Sequence, residues 1–480
     1  MADQGQGDVV APSREDPVAA ALSGSVGGAS GEHARGHRWW TPLRVVLAVT
    51  AVVFALGMLQ KVPCYQDTWN NGETRYSKMC YSDMPYLYTG RGFVEKLWPY
   101  TDDAETNARF RVMEYPVGIS YFAWGVSWVT HWVAGSPDIE DRPGTPLDQL
   151  RGEAQVQKEI RTYVAVSAVF LGIFTLIAAW FLVGVNPRRP WDALLFAAAP
   201  VLLFNALINW DLLAVTFVAG ALWAWARDRP ILTGVMIGLG TAAKLYPLFL
   251  LGGILVICIR RRQWMPMAWA TFAAITAWLL ANAPAYLTGP EAWKVFWSFN
   301  SDRGADLGSL WLALDRGGLE LSNGFINNFS WAFFIAWCLG VLALGLIAPK
   351  TPRFTQLGFL IVAGFLLVNK VYSPQYVLWL LPLAVLAVPR WRDQIIWQAG
   401  ELFYFASVWW YLGGHLRATD GGTPVYWAAI VLRMAVELYL VVIVVRDILR
   451  PEEDLVEREE PVPWRRTEPA EVGGKPAPGA

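Results

Sequence analysis

The sequence predicts an all-α polytopic membrane protein with about 11–13 transmembrane helices. Of its 480 residues, 55% are hydrophobic and only 16% are charged, whereas soluble proteins carry about a quarter charged residues. Apolar runs of about 20 residues recur along the chain, and each is long enough to cross the hydrocarbon core of a bilayer. The net charge of −1 does not indicate a nucleic-acid partner.

The charged residues concentrate at the two ends of the chain and between the apolar runs. Residues 1–41 and 450–480 lack hydrophobic periodicity, which predicts two disordered cytoplasmic tails around a membrane domain over residues 42–449. Two longer polar segments interrupt that domain at about residues 61–115 and 287–328. We expect the first of them to form short amphipathic helices.

Basic turns between the apolar runs indicate which side of the membrane is cytoplasmic. Arg227 and the run Arg260–Arg262 lie in such turns, and the positive-inside rule places them in the cytoplasm. Both long polar segments then lie outside. The crossings counted from the N-terminus and from the basic turns disagree by one around residues 117–190. Either Val117–Val133 does not fully cross, or a short hairpin is misassigned.

Asp83, in the first polar segment, is the leading candidate for a catalytic base. Ser82 can cap a helix that has Asp83 and Pro85 near its start, because serine and proline favour these positions. The dipole of such a helix would keep Asp83 ionised and able to accept a proton. The alternative is that Asp83 is only a charge at a helix start.

Glu114 stands directly before Tyr115, where the chain re-enters the apolar region. A carboxylate there is costly unless it is paired or hydrated. It could take part in catalysis by orienting an acceptor hydroxyl, or it could pair with Arg91 or Arg111. The structural alternative is a helix-start acid.

Cys64 and Cys80 both lie in the first polar segment. If this segment is extracytoplasmic, a disulfide between them is possible and would restrain the approach to Asp83. The sequence alone leaves that pairing open, because it does not show whether the two sulfurs meet.

Charged residues inside apolar runs indicate a functional site. Lys244 lies in TAAKLYPLFLL, where an ammonium group needs an anion or a hydrated cavity, and Pro247 interrupts the helix around it. Asp211 lies deep in another apolar region and could pair with Lys244. Lys370, in NKVYSPQY, resembles Lys244 in position, although snorkelling to the interface would also explain it.

Other residues complete the candidate site. Arg303, in the second polar segment, has a planar guanidinium group that suits phosphate, although its segment could simply be a solvated loop. The four histidines show no metal-ligand spacing, so we expect neither a metal site nor a cofactor. Candidates for substrate binding are Tyr86, Tyr115, Asn209, Asp211, Tyr246, Tyr372, Gln375 and His415.

The order of these motifs resembles that of bacterial GT-C membrane glycosyltransferases, most closely the polyprenol-phosphate-mannose-dependent α-mannosyltransferases of glycosyltransferase family 87. The resemblance rests on the first-loop Asp83, the Tyr-Pro re-entry at Tyr115, the KLYP break and the NKVYSPQY motif. It implies a GT-C-like bundle in which Asp83 is the catalytic base. The family's re-entry motif usually reads Y-P-P, whereas here Val117 follows Pro116.

The resemblance implies transfer of a hexose such as mannose from a polyprenyl-phosphate donor to an extracytoplasmic glycolipid or glycan of the cell envelope. The protein would then lie in the cell membrane with its active site outside. Lys244, Lys370 and Arg303 would stabilise the charge on the departing phosphate. The alternative is a transporter or flippase that uses Lys244, Asp211 and Lys370, although only KLYP and KVYSPQY hint at an internal repeat.

Overall fold

The computed structural model describes residues 16–18, 21, 39–416 and 424–458, and within these ranges the chain forms helices without a strand. This confirms the predicted class of an all-α polytopic membrane protein. In the described part, five helices are long and apolar enough to cross a membrane: Pro42–Gln60, Ala154–Val183, Trp264–Thr288, Asn323–Ile347 and Pro424–Leu449. Several other predicted spans form shorter helices, because Pro, Gly or polar residues interrupt them.

The helices are numbered in chain order. The first eight are α1 (Pro42–Gln60), α2 (Val62–Gln66), α3 (Gly72–Ser77), α4 (Met84–Gly90), α5 (Ala104–Arg109), α6 (Val117–Val133), α7 (Leu147–Gly152) and α8 (Ala154–Val183). The next seven are α9 (Leu194–Ala197), α10 (Pro200–Asn205), α11 (Leu212–Trp225), α12 (Pro230–Ala243), α13 (Leu250–Arg261), α14 (Trp264–Thr288) and α15 (Pro290–Asp302). The last seven are α16 (Leu310–Arg316), α17 (Asn323–Ile347), α18 (Phe354–Val368), α19 (Val377–Ala387), α20 (Trp391–Leu412), α21 (Pro424–Leu449) and α22 (Leu455–Arg458). Short 3₁₀ turns occupy Phe93–Glu95, Arg142–Gly144, Pro190–Ala193, Tyr246–Phe249 and Pro374–Tyr376.

One end of the bundle, called here the basic end, collects arginines from many connections. Arg227 donates to the Gly184 carbonyl at 2.8 Å, and Arg260 donates to the carbonyl of Pro349. The arginines that face this end are Arg189, Arg227, Arg260, Arg353, Arg390 and Arg446. The helix ends that carry them therefore lie together.

Three helical hairpins start and finish at the basic end. The first rises through α9 and α10, turns at residues 206–211 and returns along α11. The second is α12 and α13 with its apex at residues 244–249, where the KLYP sequence breaks the helix as the sequence predicts. The third is α18 and α19 with its apex at residues 369–376.

The hairpin helices are too short to cross a membrane alone. Helices α11 and α12 have 14 residues each and α18 has 15, so each spans about 21–23 Å, which is less than the roughly 30 Å of a hydrocarbon core. The three apices therefore lie within the depth of the bundle. The first polar segment reaches down to them, since the backbone N–H of Asp83 donates to the Ile208 carbonyl at 2.7 Å.

Helix α6 contacts the first polar segment at its start and near its middle. At its start, the Tyr100 hydroxyl donates to Ser120 Oγ at 3.0 Å. Near its middle, Trp124 Nε1 donates to the Lys96 carbonyl at 3.1 Å. Beyond its end, the Ala134 carbonyl accepts from Lys158 of α8 at 3.1 Å. That Val117–Val133 does not fully cross, and that a short hairpin is misassigned, both stay predictions.

Small residues allow α12 and α14 to pack closely. A Cβ atom at Gly234 would lie only 2.1 Å from the Ala270 carbonyl oxygen, and one at Gly238 would lie 2.3 Å from that of Ala274. The glycine-rich run GVMIGLG is therefore a helix-packing surface. The packing of α12 against α14 restrains the KLYP apex that follows α12.

The ordered chain continues past the predicted C-terminal boundary at residue 449. Asp454 is buried and makes a bidentate ion pair with Arg353, while Lys350 contacts Glu457 at 3.1 Å. Residues 450–458 therefore pack against the basic end. The rest of the predicted tail, from residue 459, lies outside the described residues, as does most of the predicted N-terminal tail.

Candidate active site

Asp83 occupies the N-cap position of α4, at the point where the first polar segment meets the 206–211 apex. Ser82 donates from its hydroxyl to the Ile208 carbonyl at 3.2 Å and accepts weakly from the N–H of Met84 at 3.4 Å. These bonds hold the backbone on both sides of the carboxylate. The Asp83 side chain makes no capping bond of its own. Its carboxylate instead faces the residues around Lys244.

The Asp83 carboxylate accepts a hydrogen bond from the Tyr115 hydroxyl at 3.1 Å. The ammonium group of Lys244 lies 4.6 Å from the centroid of the Tyr115 ring, so Tyr115 stands between the carboxylate and the buried cation. Two residues that the sequence places about 130 positions apart, Tyr115 and Lys244, are thereby joined at one site.

Lys244 and Asp211 form the buried ion pair that the sequence suggests. Lys244 Nζ lies 2.9 Å from Asp211 Oδ1, and the two side chains are 10% and 1% exposed. Trp379 Nε1 donates to the second Asp211 oxygen at 2.9 Å, and Asn209 accepts from the N–H of Asp211 at 3.0 Å. Because both Asp211 oxygens are engaged, the pair is fixed in orientation.

Aromatic rings from two apices pack beside this pair. The Tyr376 and Trp379 rings stack with centroids 4.0 Å apart, and Tyr246 stacks on the other side of Trp379 at 4.7 Å. Lys244 also lies within 6.0 Å of the Tyr376 ring. All three hairpin apices thus contribute side chains to one cluster next to Asp83.

The Asp83 carboxyl is more basic than an ordinary aspartate. Burial raises its pKa above the usual value, although hydrogen bonds from Tyr81 and Tyr115 and the positive charge of Lys244 oppose the shift. A raised pKa makes the ionised carboxylate a better proton acceptor. The cluster can therefore accept a proton beside a fixed positive charge.

Lys61 is a titratable neighbour that the sequence analysis does not identify. It directly follows α1, is 3% exposed and donates from Nζ to the Tyr81 carbonyl at 3.0 Å. Burial lowers the pKa of Lys61 to about 7, and the nearby Asp83 carboxylate partly offsets this effect. A lysine at the end of a span ordinarily snorkels to the interface, so its sequence position carries no distinguishing signal.

A partly open pocket adjoins the cluster. Tyr115 and Leu245 line it on the Asp83 side, and it extends along α14 and α15, where its wall includes Trp278, Asn282, Trp293 and Trp297. Aromatic walls with a few polar groups suit a ligand that combines an apolar chain with a sugar.

Glu114 does not point towards Asp83. Its carboxylate accepts two hydrogen bonds from the Arg91 guanidinium, at 2.8 and 2.9 Å. This is one of the two pairings that the sequence allows, and Arg111 is not its partner. The bidentate geometry ties the end of the first polar segment to α4, and the catalytic part of Glu114 stays a prediction.

We expect Glu114→Gln to lower stability more than activity. The neutral amide loses one charge-assisted hydrogen bond, so the catalytic rate should fall by less than about tenfold while the thermal unfolding midpoint decreases. Initial rates and unfolding of the purified protein check this, with the exposed Glu105→Gln as the matched control. A rate loss of about 10²-fold or more with unchanged unfolding, the size typical of a lost catalytic acid or base, would instead support a catalytic role for Glu114.

The other two candidate phosphate ligands lie apart from Lys244. Lys370 donates from Nζ to the carbonyls of Asn300 and Ser301 at 2.7 and 3.0 Å. Arg303 pairs with Asp306 at 2.6 Å and remains about one-third exposed. Both residues therefore stand at the rim where the second polar segment meets the 369–376 apex, and Arg303 retains unpaired guanidinium surface.

The remaining predicted ligands divide into near and distant groups. Tyr115, Asn209, Asp211 and Tyr246 belong to the Lys244 cluster. Tyr86 stacks on Tyr81 at 5.7 Å, with its hydroxyl engaged by Arg75 and Trp69. Gln375 is buried, His415 is exposed near Tyr76, and Tyr372 points into a separate buried cluster.

Cys64 and Cys80 are joined by a disulfide, with their Cα atoms 5.8 Å apart. The bridge connects the short helix that follows α1 to the residues just before Asp83. Trp69 Nε1 adds a hydrogen bond to the Cys80 carbonyl at 3.0 Å. These contacts restrain the loop on which Asp83 stands.

Comparison with known proteins identifies one family. The sequence model of glycosyltransferase family 87 matches residues 154–369. The match includes Asp211, Lys244 and Arg303, whereas Asp83 precedes it and Tyr372 follows it. No curated protein matches the chain.

Proposed function

We propose that this membrane protein transfers a hexose, mannose in the simplest case, from a polyprenyl-phosphate donor to a glycolipid or glycan, with Asp83 as general base, because residues 154–369 match the sequence model of glycosyltransferase family 87. The observation that carries the proposal is the Asp83 carboxylate, which accepts from Tyr115 directly beside the buried Lys244. A base and a cation this close suit a reaction that removes a proton and releases a phosphate.

In the proposed reaction, Asp83 accepts the proton from the acceptor hydroxyl as its oxygen bonds to the anomeric carbon of the donor sugar. The bond from that carbon to the phosphate oxygen breaks, and the electron pair leaves with the polyprenyl phosphate. Lys244 stabilises this developing negative charge. Asp211 keeps the ammonium group oriented and limits how far it can move.

The aromatic cavity beside Tyr115 is the proposed place of the donor. Its wall is formed by the end of α12 together with α14 and α15, where the isoprenoid chain would bind while the phosphate reaches the Lys244 cluster. Arg303, at the rim, would make a second contact with the phosphate. Lys370 is proposed to contribute less to phosphate binding than Arg303, because two carbonyls already bind its ammonium group.

The site is proposed to face the extracytoplasmic side of the cell membrane. The opposite end of the bundle is the basic end, and arginine-rich connections favour the cytoplasm. The disulfide next to Asp83 fits an oxidising compartment. The catalytic region thus comprises the 61–115 and 287–328 segments together with the three hairpin apices.

The proposal is tested with purified protein in vesicles that contain polyprenyl-phosphate-[³H]mannose and a panel of lipid extracts. Transfer predicts label in a new, more polar lipid, and its formation should require the protein. If the label stays on the donor but crosses the bilayer, the protein is instead a flippase and the proposal is wrong. A parallel assay with polyprenyl-phosphate-glucose separates a wrong sugar from a wrong reaction.

Tyr115→Phe should change the pH dependence of transfer. The Tyr115 hydroxyl stabilises ionised Asp83, so its removal raises the Asp83 pKa further. A base must be ionised to act, and activity is lost as the pH falls through its pKa. The acid limb of kcat/KM should therefore move to higher pH in Tyr115→Phe, whereas Tyr121→Phe, a tyrosine of α6 outside the Asp83 contact, should leave it in place. An unchanged acid limb in Tyr115→Phe would contradict this assignment.

A further inference from the structure

Helices α20 and α21 enclose a charged cluster that lies after residue 369, where the family match ends. Arg433 Nη1 binds Glu437 at 2.7 Å, and both side chains are 0% exposed. Glu401, on α20, is 3% exposed. Placing such charges inside a membrane bundle is costly, and apolar residues would pack the two helices at lower cost. Their presence therefore points to a purpose beyond helix packing.

The charged side chains of α20 and α21 bind one residue of the 369–376 apex, Tyr372. The Tyr372 hydroxyl bonds to both oxygens of Glu401, at 3.0 and 3.1 Å. The Arg433 guanidinium carbon lies 3.8 Å from the centroid of the Tyr372 ring, a close cation–π contact. Arg433, Glu437, Glu401 and Tyr372 are called here the Arg433 cluster. In this cluster, Arg433 contacts the face of the Tyr372 ring and Glu401 binds the Tyr372 hydroxyl.

Two further hydroxyl groups hold the backbone of the same region. The Tyr404 hydroxyl donates to the Tyr372 carbonyl at 2.6 Å, and the Tyr426 hydroxyl accepts from the N–H of Gly308 at 3.0 Å. Gly308 has φ of +72°, and a Cβ atom there would lie 2.0 Å from the Tyr404 hydroxyl. The loop at Gly308 and the 369–376 apex are therefore both fastened to α20 and α21.

These two loops also bind each other. The N–H of Tyr372 donates to the Leu307 carbonyl at 2.8 Å, and the N–H of Asp306 donates to the Lys370 carbonyl at 2.9 Å. Asp306 in turn holds Arg303. Any displacement of Tyr372 would consequently move Arg303 and Lys370, the two cations at the rim.

The 369–376 apex connects the Arg433 cluster to the candidate active site. Four residues after Tyr372, Tyr376 stacks on Trp379, whose indole N–H binds Asp211. Asp211 is the partner of Lys244. A continuous series of contacts thus runs from Arg433 to the cation beside Asp83.

We propose that Arg433, Glu401 and Tyr404 are positioning residues that set the 303–309 and 369–376 loops for the phosphate of the donor. This inference rests on the proposed function. The residues do not touch the reacting atoms. They act through Tyr372, which places Arg303 and Lys370 at the rim and Tyr376 and Trp379 around the Asp211–Lys244 pair. Helices outside the family match thereby determine how well the donor is held.

The test combines donor kinetics with hydrogen–deuterium exchange on the full-length protein in detergent. Arg433→Met removes the cation at similar length, Arg433→Lys keeps the charge, and Tyr404→Phe removes only one hydroxyl. Tyr439→Phe is the matched control, because its hydroxyl on α21 binds Asp393 at the basic end. The measurements are KM and kcat for labelled donor, KM for acceptor, and exchange in peptides covering residues 303–309, 369–376 and 61–83.

Tyr404→Phe and Arg433→Met should raise the KM for donor about tenfold, the equivalent of one lost hydrogen bond, with a smaller change in kcat and in the KM for acceptor. Exchange should increase at 303–309 and 369–376 but not at 61–83. Arg433→Lys should restore part of the donor KM, and Tyr439→Phe should match the wild type.

Unchanged exchange at both loops in folded Tyr404→Phe protein would overturn the inference, and so would equal losses in all variants that follow only the unfolding midpoint. If the wild-type protein transfers no sugar while the loop exchange responds as expected, the proposed function fails and the positioning of the loops still stands.

Discussion

Asp83→Asn should abolish most glycosyl transfer while leaving the protein folded. Asparagine has the shape of aspartate and can still accept from Tyr115, but it cannot take the proton of the acceptor hydroxyl. Loss of a general base typically lowers kcat by about 10²–10⁴-fold. The measurement is the initial rate of labelled hexose transfer by purified protein, with thermal unfolding recorded on the same samples.

Asp103→Asn is the matched control for this substitution. Asp103 lies in the same polar segment, is exposed, and caps α5 by accepting from the N–H of Thr106 at 2.8 Å. Asparagine caps helices equally well, so this variant should keep the wild-type rate. Transfer by Asp83→Asn at a rate close to that of Asp103→Asn would remove Asp83 from its proposed role.

Lys244→Met should strongly lower the stability of the protein. It leaves the Asp211 carboxylate buried without its cation, and breaking one side of a buried pair typically costs about 3–5 kcal/mol. Transfer should be lost as well, because the departing phosphate no longer meets a positive charge. The unfolding midpoint in detergent and the single-turnover transfer rate measure the two effects.

A double variant separates the stabilising and catalytic parts of Lys244. Lys244→Met combined with Asp211→Leu removes both charges, and replacing a buried pair by apolar residues is often neutral or stabilising. The unfolding midpoint should therefore recover toward the wild-type value, whereas transfer should remain absent. Recovery of transfer along with stability would mean that Lys244 only supports the fold.

Much of the membrane architecture can be predicted from apolar run length and from the residues that interrupt it. Pro42–Gln60 forms one helix because nothing breaks the run, whereas Pro247 and the charge at Lys244 divide the next long run into two helices. The Asp211–Lys244 pair was also predictable, because each buried charge requires a partner. These predictions rest on the local chemistry of single residues.

The assembled site depends on contacts that the sequence does not encode locally. Asp83, Tyr115, Lys244 and Trp379 come from four separate segments, and their meeting depends on how three hairpins pack. The direction of Glu114 towards Arg91 depends on the same packing.

The Arg433 cluster left a weak signal in the sequence. Arg433 and Glu437 stand four residues apart on one helix face, yet they lie inside a run that is otherwise apolar and that reads as a plain span. Lys61 has the same difficulty at the end of α1. In both cases, helices that are distant in the sequence bury the charged residue. Only the folded structure shows this burial.

The proposed donor site comprises the three hairpin apices and Asp83. It is tested most directly by photo-crosslinking the wild-type protein with a polyprenyl-phosphate-mannose analogue that carries a diazirine in its first isoprene unit. Peptide mapping should place the crosslinks on the cavity wall at α12, α14 and α15, and excess unmodified donor should remove them. Crosslinks that map instead to the basic end, or that persist in the presence of excess donor, would contradict the claim.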